Sequence, residues 1–148
     1  MNRSLENLLF ACTAAAATTV ITIDAHADID FASINQQGDL ELEFRAFAPP
    51  TRQFQYSARA SATTTFACPN AMFIRSTVTN VVNRNGLFTS DFQGRVNALL
   101  TLNIPPGQPA FSCPLNAQPI VKTVEYRQIE IRGELGEFHY GRDVIRNF

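Results

Sequence analysis

The feature that most constrains the fold is the long segment Gln53–Cys68, in which apolar or small side chains alternate with polar ones. A repeat of two residues is that of a β-strand, whose successive side chains point to opposite faces of a sheet. The segment therefore predicts one long strand with a buried face and a solvent face. We expect the buried face to carry Phe54, Tyr56, Ala58, Ala60, Ala62, Thr64, Phe66 and Cys68.

The same alternation recurs along the chain after residue 27, where no segment keeps the 3.6-residue period of a helix. Residues 28–38 lack a clear pattern, and we expect them to be loosely held. Residues 138–140 and 144–148 are expected to add a frayed edge. The alternation predicts further strands at residues 40–47, 74–82, 87–90, 95–104 and 120–131.

Turn-forming residues separate these strands. Asn85-Gly86, within residues 83–86, predicts a tight hairpin turn because both residue types accept a positive φ. Further turns are predicted at residues 91–94 and 133–136, and the prolines of residues 105–109 exclude a strand interior there.

A shift of phase in the last long strand pattern predicts an irregularity. The apolar positions change from even to odd numbers after Tyr126. One extra residue near Arg127 or Gln128 would restore the alternation, and such an insertion is a β-bulge.

Many short strands with turns between them predict an all-β fold. We expect an antiparallel β-sandwich of the Ig-like or Greek-key type, in preference to a small barrel, as a single domain over residues 28–148.

The first 27 residues have the pattern of a secretory signal peptide. Arg3 precedes an uncharged segment, residues 8–23, that is too short to cross a bilayer as a helix. Ala25-His26-Ala27 then provides a small-x-small cleavage pattern. We therefore expect secretion, either extracellular or periplasmic, with no membrane insertion after cleavage. An uncleaved membrane anchor or a buried helix remains the alternative.

The cysteines agree with an oxidising compartment. Of the three, Cys12 lies in the expected signal, which leaves Cys68 and Cys113 to form one structural disulfide. The segments around them match, with Phe66-Ala67-Cys68-Pro69 resembling Phe111-Ser112-Cys113-Pro114. The match predicts two equivalent strand–turn–strand units that bring the cysteines together, although coincidence of turn composition would give the same match.

Several kinds of function find no support in the residues. A formal charge of −1 argues against a nucleic-acid partner bound through bulk electrostatics. His139 is the only histidine outside the expected signal, and no nucleophile-elbow, zinc-protease or phosphate-loop motif occurs. We therefore expect no cofactor and no metal site.

Carboxylates leave one enzymatic alternative open. A small hydrolase or lyase would need two acids at a defined separation across a cleft. Glu41 and Glu43 on one strand, facing Glu125 on another at about 5–10 Å, would meet that requirement. Glu130, Glu134 and Glu137 form a further group in the sequence, and exposed charges on solvent faces are the ordinary interpretation.

Two regions are candidates for ligand contact. Phe88 and Phe92 flank a predicted turn and are the best candidates for exposed aromatic residues. The loop 103–112 is rich in proline and is fixed at one end by Cys113, so it would lose little entropy on docking. A rigid crossover between the sheets is the alternative role of this loop. The candidate ligand residues in these two regions are Phe88, Phe92, Pro105, Pro106, Gln108 and Phe111.

Three short runs resemble small secreted β-sandwich proteins with no assigned activity. They are Phe111-Ser112-Cys113-Pro114, Leu87-Phe88-Thr89-Ser90 and Gly94-Arg95-Val96, and the resemblance covers about residues 58–131. It implies secretion and β structure and specifies no site.

Together these features predict a secreted, non-enzymatic binding or surface-associated module whose partner is an unknown protein or surface ligand. One variant is a secreted inhibitor that inserts loop 103–112. Another is a subunit of a surface polymer, which would need an unpaired edge strand within residues 28–47.

Overall fold

The computed structural model describes residues 28–104 and 107–148, apart from the side chains of residues 72–74. This part of the chain forms two antiparallel sheets that pack face to face, which confirms the predicted all-β fold. The predicted signal, residues 1–27, lies outside the described residues. The strands are β1 (Asp28–Ile34), β2 (Leu40–Phe47), β3 (Gln53–Cys68), β4 (Ala71–Thr89), β5 (Arg95–Leu102), β6 (Ile120–Gly133), β7 (Gly136–Tyr140) and β8 (Val144–Asn147).

The two sheets differ in size. One has the order β1-β2-β5, and the other has the order β4-β3-β6-β7, with β8 also paired to β6. A 3-10 turn, Pro114–Asn116, lies in the long connection from β5 to β6. None of the described residues belongs to a helix of the length and apolarity that a membrane crossing requires.

Strand β3 lies inside the larger sheet, between β4 and β6. Its even-numbered side chains are buried and its odd-numbered ones as far as Thr65 lie on the solvent face, as the alternation predicts. Ala58, Ala60 and Ala62 are at most 1% exposed, and their small side chains leave room for residues of the opposite sheet. The alternation of this one strand therefore sets which face of the larger sheet becomes the core.

Aromatic rings fill the core beside these alanines. Phe88 stacks between Phe44 and Tyr56, with ring centroids 4.7 Å and 4.2 Å apart. Phe88 is only 3% exposed, so the prediction of an exposed ring is wrong for this residue. The cause is that β4 runs without a break through the turn predicted at residues 83–86, and Phe88 lies on its even-numbered, buried face.

The hairpin turn predicted at residues 83–86 does not form. Gly86 lies within β4, directly opposite Tyr56 on β3, and its φ is not left-handed. A Cβ at Gly86 would come within 2.9 Å of three atoms of the Tyr56 side chain. Glycine is therefore needed here for close packing of the ring and not for a turn.

Other predicted irregularities are confirmed. In the turn at residues 91–94, the Gly94 amide donates to the Asp91 carbonyl at 3.0 Å, and Gly94 has a φ of +78°. The bulge lies at Gln128, which has a φ of +50° where the pairing of β3 with β6 shifts.

The expectation of a loose segment at residues 28–38 is wrong, because Ile29 and other β1 side chains enter the core.

Three strands of the larger sheet are longer than any strand of the smaller one. β3, β4 and β6 contain 16, 19 and 14 residues, whereas β1, β2 and β5 contain 7, 8 and 8. At the end of the molecule that holds Cys68, the larger sheet extends past the smaller one. We call this extension the overhang; its inner face includes Thr64, Phe66 and Cys68 on β3, and Val78 on β4.

Tyr126 marks the place where the smaller sheet ends. Its side chain is fully buried, and its hydroxyl donates to the Gly38 carbonyl at 2.8 Å in the β1–β2 turn. Burial raises the pKa of this phenol above its ordinary value, and the nearby Asp39 carboxylate raises it further. The contact ties β6 to the end of the smaller sheet.

Replacing Tyr126 with phenylalanine tests this contact. We expect Tyr126→Phe to lower the free energy of unfolding near neutral pH by about 1–2 kcal/mol, because the buried Gly38 carbonyl loses its donor. Urea unfolding of both proteins measures the difference.

The same pair of proteins has a predicted pH dependence. Because the pKa of Tyr126 is raised in the folded state, its contribution is fully present below about pH 10, the value of an unfolded tyrosine, and is lost as the pH rises further. The stability gap between wild type and Tyr126→Phe should therefore narrow above about pH 10. A gap that stays constant or widens would contradict this account.

Candidate functional site

The candidate site with the most apolar lining is a cleft of about 450 Å³ between the overhang and the segments that cover it. We call it the end cleft. Its apolar lining comes from Phe66 on β3, Val121 and Val124 on β6, Ile104 and Gly107 of the loop after β5, and the C-terminal Phe148. Because two layers of the molecule bound it, an occupant would contact protein on both sides.

The loop after β5 covers the overhang where the smaller sheet is missing. Gly107 lies so close to the inner face that a Cβ would be 3.3 Å from a Val78 methyl and 3.8 Å from the Phe66 ring. Phe66, Ala67, Cys68 and Cys113 are buried, yet they lie outside the central core cluster. The overhang and the loop therefore form a second, smaller apolar core, and the end cleft opens beside it.

The disulfide fixes this loop. Cys68 and Cys113 are joined, with their Cα atoms 5.5 Å apart, as the sequence predicts. The equivalence of the two cysteine segments is wrong, because Cys68 ends a strand whereas Cys113 follows a segment without strand structure and begins a 3-10 turn. Prolines in that segment remove the amide donors that a ladder needs.

Asp39 fixes the other end of the loop. Its carboxylate accepts a hydrogen bond from the Ile104 amide at 3.0 Å and another from the Asn103 side chain at 3.1 Å. Both carboxylate oxygens are therefore engaged. The polar side chains of Gln36 and Gln37, on the exposed turn next to Asp39, complete the rim of the end cleft.

The candidate ligand residues from the sequence do not form one site. Phe92 is 75% exposed in the turn beside the Gln53 end of β3, the opposite end from the disulfide. Gln108 and Phe111 line a separate depression of about 440 Å³ within the loop itself. Phe88 is in the core, and Pro105 and Pro106 lie outside the described residues.

The predicted pairing of acids across a cleft does not occur. Glu43 faces solvent on the outer side of the smaller sheet, and Glu41 lies on the same side. Glu125 lies on the outer side of the larger sheet. Both layers of the sandwich therefore separate the two sets, so the paired-carboxylate enzyme loses the geometry on which it depended.

A different polar group forms on the outer face of the larger sheet. β6 and β7 pair so that Glu130 is opposite His139 and Arg132 is opposite Glu137. The Arg132 guanidinium is 3.0 Å from Glu130 and 3.1 Å from Glu137, and His139 Nε2 is 2.9 Å from Glu137. The group borders a depression of about 440 Å³ beside the Gln128 bulge.

Glu130, Glu137 and His139 offer ligand atoms within 4.8 Å of one another, which is close enough to hold a cation. Arg132 already bridges the two carboxylates, so a metal ion would have to displace its guanidinium. We therefore interpret the group as a set of ion pairs. The turn predicted at residues 133–136 could have revealed it, since counting back along that hairpin places Glu130 opposite His139.

Comparison with protein-family models, curated proteins and solved structures finds no match to this chain. The resemblance to small secreted β-sandwich proteins therefore stays a prediction.

The disulfide gives a direct test of how the loop is held. We expect the double variant Cys68→Ser, Cys113→Ser to lose about 4 kcal/mol of unfolding free energy in the chain-entropy treatment, for a sequence separation of 45. Guanidinium unfolding measures the loss. Reductant should destabilise the wild type by a similar amount and leave the double variant unchanged, and a wild type insensitive to reductant would contradict the prediction.

Proposed function

We propose that this protein is a secreted, non-enzymatic binding module that holds a small amphipathic ligand in the end cleft. The observation that carries the proposal is a cleft of about 450 Å³ with an apolar lining and a polar rim. Ligand sites in proteins are concave, mostly apolar and about 300–1,000 Å³ in volume, with a few polar groups that orient the ligand. The end cleft has each of these properties.

The lining defines the chemical class of the ligand. An apolar body fits against Phe66, Val121 and Val124, which offer no hydrogen-bonding groups in their side chains. A polar group at the other end of the ligand would reach the amides of Gln36 and Gln37. The Asp39 carboxylate is already occupied by the loop, so it holds the wall of the cleft and leaves recognition to the two glutamines.

Because both ends of the loop are fixed, the structure supports a ligand site under the loop more than an inhibitor that inserts the loop into another protein. A disulfide at Cys113 and the Asp39 contacts at Ile104 hold both ends of the segment that covers the overhang. A preformed cleft avoids the entropy cost of ordering a loop on binding. These contacts favour a ligand site built under the loop, in preference to an inhibitor that inserts it.

The strand order supports the Greek-key type of sandwich. β3 and β4 are paired, and β4 meets β5 at a corner where the Arg84 guanidinium donates to the Thr101 carbonyl at 2.8 Å. β6 then returns to pair with β3 on its other side. The spatial order β6-β3-β4-β5 is that of a Greek key.

Two features support secretion. Residues 8–23 are uncharged and are followed by Ala25-His26-Ala27, as in a cleaved signal. Disulfides form and persist in oxidising compartments and are rare in cytosolic proteins, so the Cys68–Cys113 bond supports secretion.

Fluorescence of 1-anilinonaphthalene-8-sulfonate, an amphipathic probe, tests the proposal on the oxidised protein. We expect saturable binding with one probe per chain. Val121→Phe fills the end cleft at a position that is already 36% exposed, so it should spare the fold and weaken binding by about tenfold or more.

Leu99→Phe is the matched control, because it adds a ring at a 65% exposed position on the outer face of the smaller sheet. This control should bind the probe as the wild type does. Equal binding by Val121→Phe, or no saturable binding by the wild type, would overturn the end cleft as the ligand site.

A further inference from the structure

The edges of the two sheets are not equally protected. An edge strand presents unpaired backbone amides and carbonyls, which is why proteins shorten, charge, bulge or cover such strands. The sandwich has edges at β1, β5, β4 and the pair β7 and β8. Three of these four edges carry devices of this kind, and β4 differs from them.

At β1 the edge carries charge and an irregularity. Asp28 and Asp30 are exposed, and the pairing with β2 shifts between Ile29 and Phe31. The Arg146 guanidinium donates to the Ile34 carbonyl at 2.7 Å and closes the end of the strand. β1 is the edge strand that a polymer subunit would need within residues 28–47, but these features oppose its pairing with another copy.

The other two protected edges are β5 and the pair β7 and β8. The Arg84 guanidinium donates to the Thr101 carbonyl and so occupies an acceptor near the end of β5, which has only 8 residues. β7 and β8 have only 5 and 4 residues, so each offers a short template. Neither edge suits extended pairing with another chain.

β4 is the longest strand, with 19 residues, and it pairs with β3 alone among the described residues. Its residues 76–83, Ser-Thr-Val-Thr-Asn-Val-Val-Asn, contain no charge, proline or glycine, and most of them are β-branched. Val78, in the first half of this segment, faces the overhang, whereas Val82 packs in the central core between the sheets. Val81 is 50% exposed on the outer face of this segment.

We propose that a second copy of this chain pairs with β4 in antiparallel fashion along residues 76–83. The two five-stranded sheets then become one sheet of ten strands across a two-fold axis. An interface of this kind uses the same patch on both copies, so the patch must be complementary to itself. A segment without charge meets this condition, because like charges placed opposite each other destabilise strand pairs.

The register follows from the geometry of the sheet. Opposite residues in an antiparallel pair point to the same face, and a two-fold axis perpendicular to the sheet keeps the outer faces of both copies on one side. The axis must therefore pass through a residue position, with Thr79 or Asn80 at the centre of the segment. Either choice places Arg75 opposite an asparagine, Asn83 or Asn85, and no arginine faces an arginine.

The choice of a second copy over a foreign peptide rests on this symmetry. Each of the two centred registers pairs the segment with itself. Residues 76–83 carry no charge, so the segment offers a foreign strand no charged group to recognise. This proposal does not depend on a ligand in the end cleft, since the pairing uses the backbone of β4.

Sedimentation of the oxidised protein over a range of micromolar concentrations tests the pairing. We expect a dimer for the wild type. Thr79 is exposed beside the axis, so Thr79→Lys and Thr79→Glu each place like charges together and should weaken the dimer by about tenfold or more.

Mixing the two variants distinguishes pairing from damage to the fold. Lysine on one copy and glutamate on the other become opposite charges near the axis, so the equimolar mixture should recover a dimer. Leu99→Lys, on the exposed face of β5, is the control and should leave the dimer intact. A monomeric wild type, dimers unaffected by both Thr79 variants, or a mixture that stays monomeric would overturn the proposal.

Discussion

The difference in length between the two sheets is the constraint on which the rest of the structure depends. β3, β4 and β6 extend past the ends of β2 and β5, and their inner face would otherwise expose apolar side chains such as Phe66. Burying one such side chain is worth about 1.5–3 kcal/mol. The loop after β5 supplies the missing cover, and the Cys68–Cys113 bond and Asp39 hold it in place.

The two proposed binding surfaces both follow from this mismatch. The cover is a loop and not a strand, so it fills the space over the overhang incompletely and leaves the end cleft. The same extension carries Val78 of β4 beyond the central core, and among the described residues β4 pairs with β3 alone. One surface is a concave apolar site and the other is a free sheet edge, so they suit different partners.

The sequence predicted best those structural features that depend on residues close together in the chain. The alternation of β3 and the bulge at Gln128 follow from spacing along the chain, and the disulfide follows from the number of cysteines outside the expected signal. Gly86 was misread because a glycine required by the Tyr56 ring, on another strand, has the same sequence signal as a turn glycine. The end cleft could not be predicted, because it depends on which strands share a sheet. The sequence did indicate strands of unequal length, since the alternation at residues 53–68 is longer than that at residues 40–47.

We conclude that the disulfide-bonded loop covers the overhang locally. Hydrogen exchange followed by mass spectrometry, before and after reduction, tests it most directly. We expect reduction to remove protection selectively from amides near Phe66 and Val121, while those near Ala58 and Ile131 in the central core keep theirs. Unchanged protection near Phe66 and Val121, or equal loss at all four positions, would contradict the account.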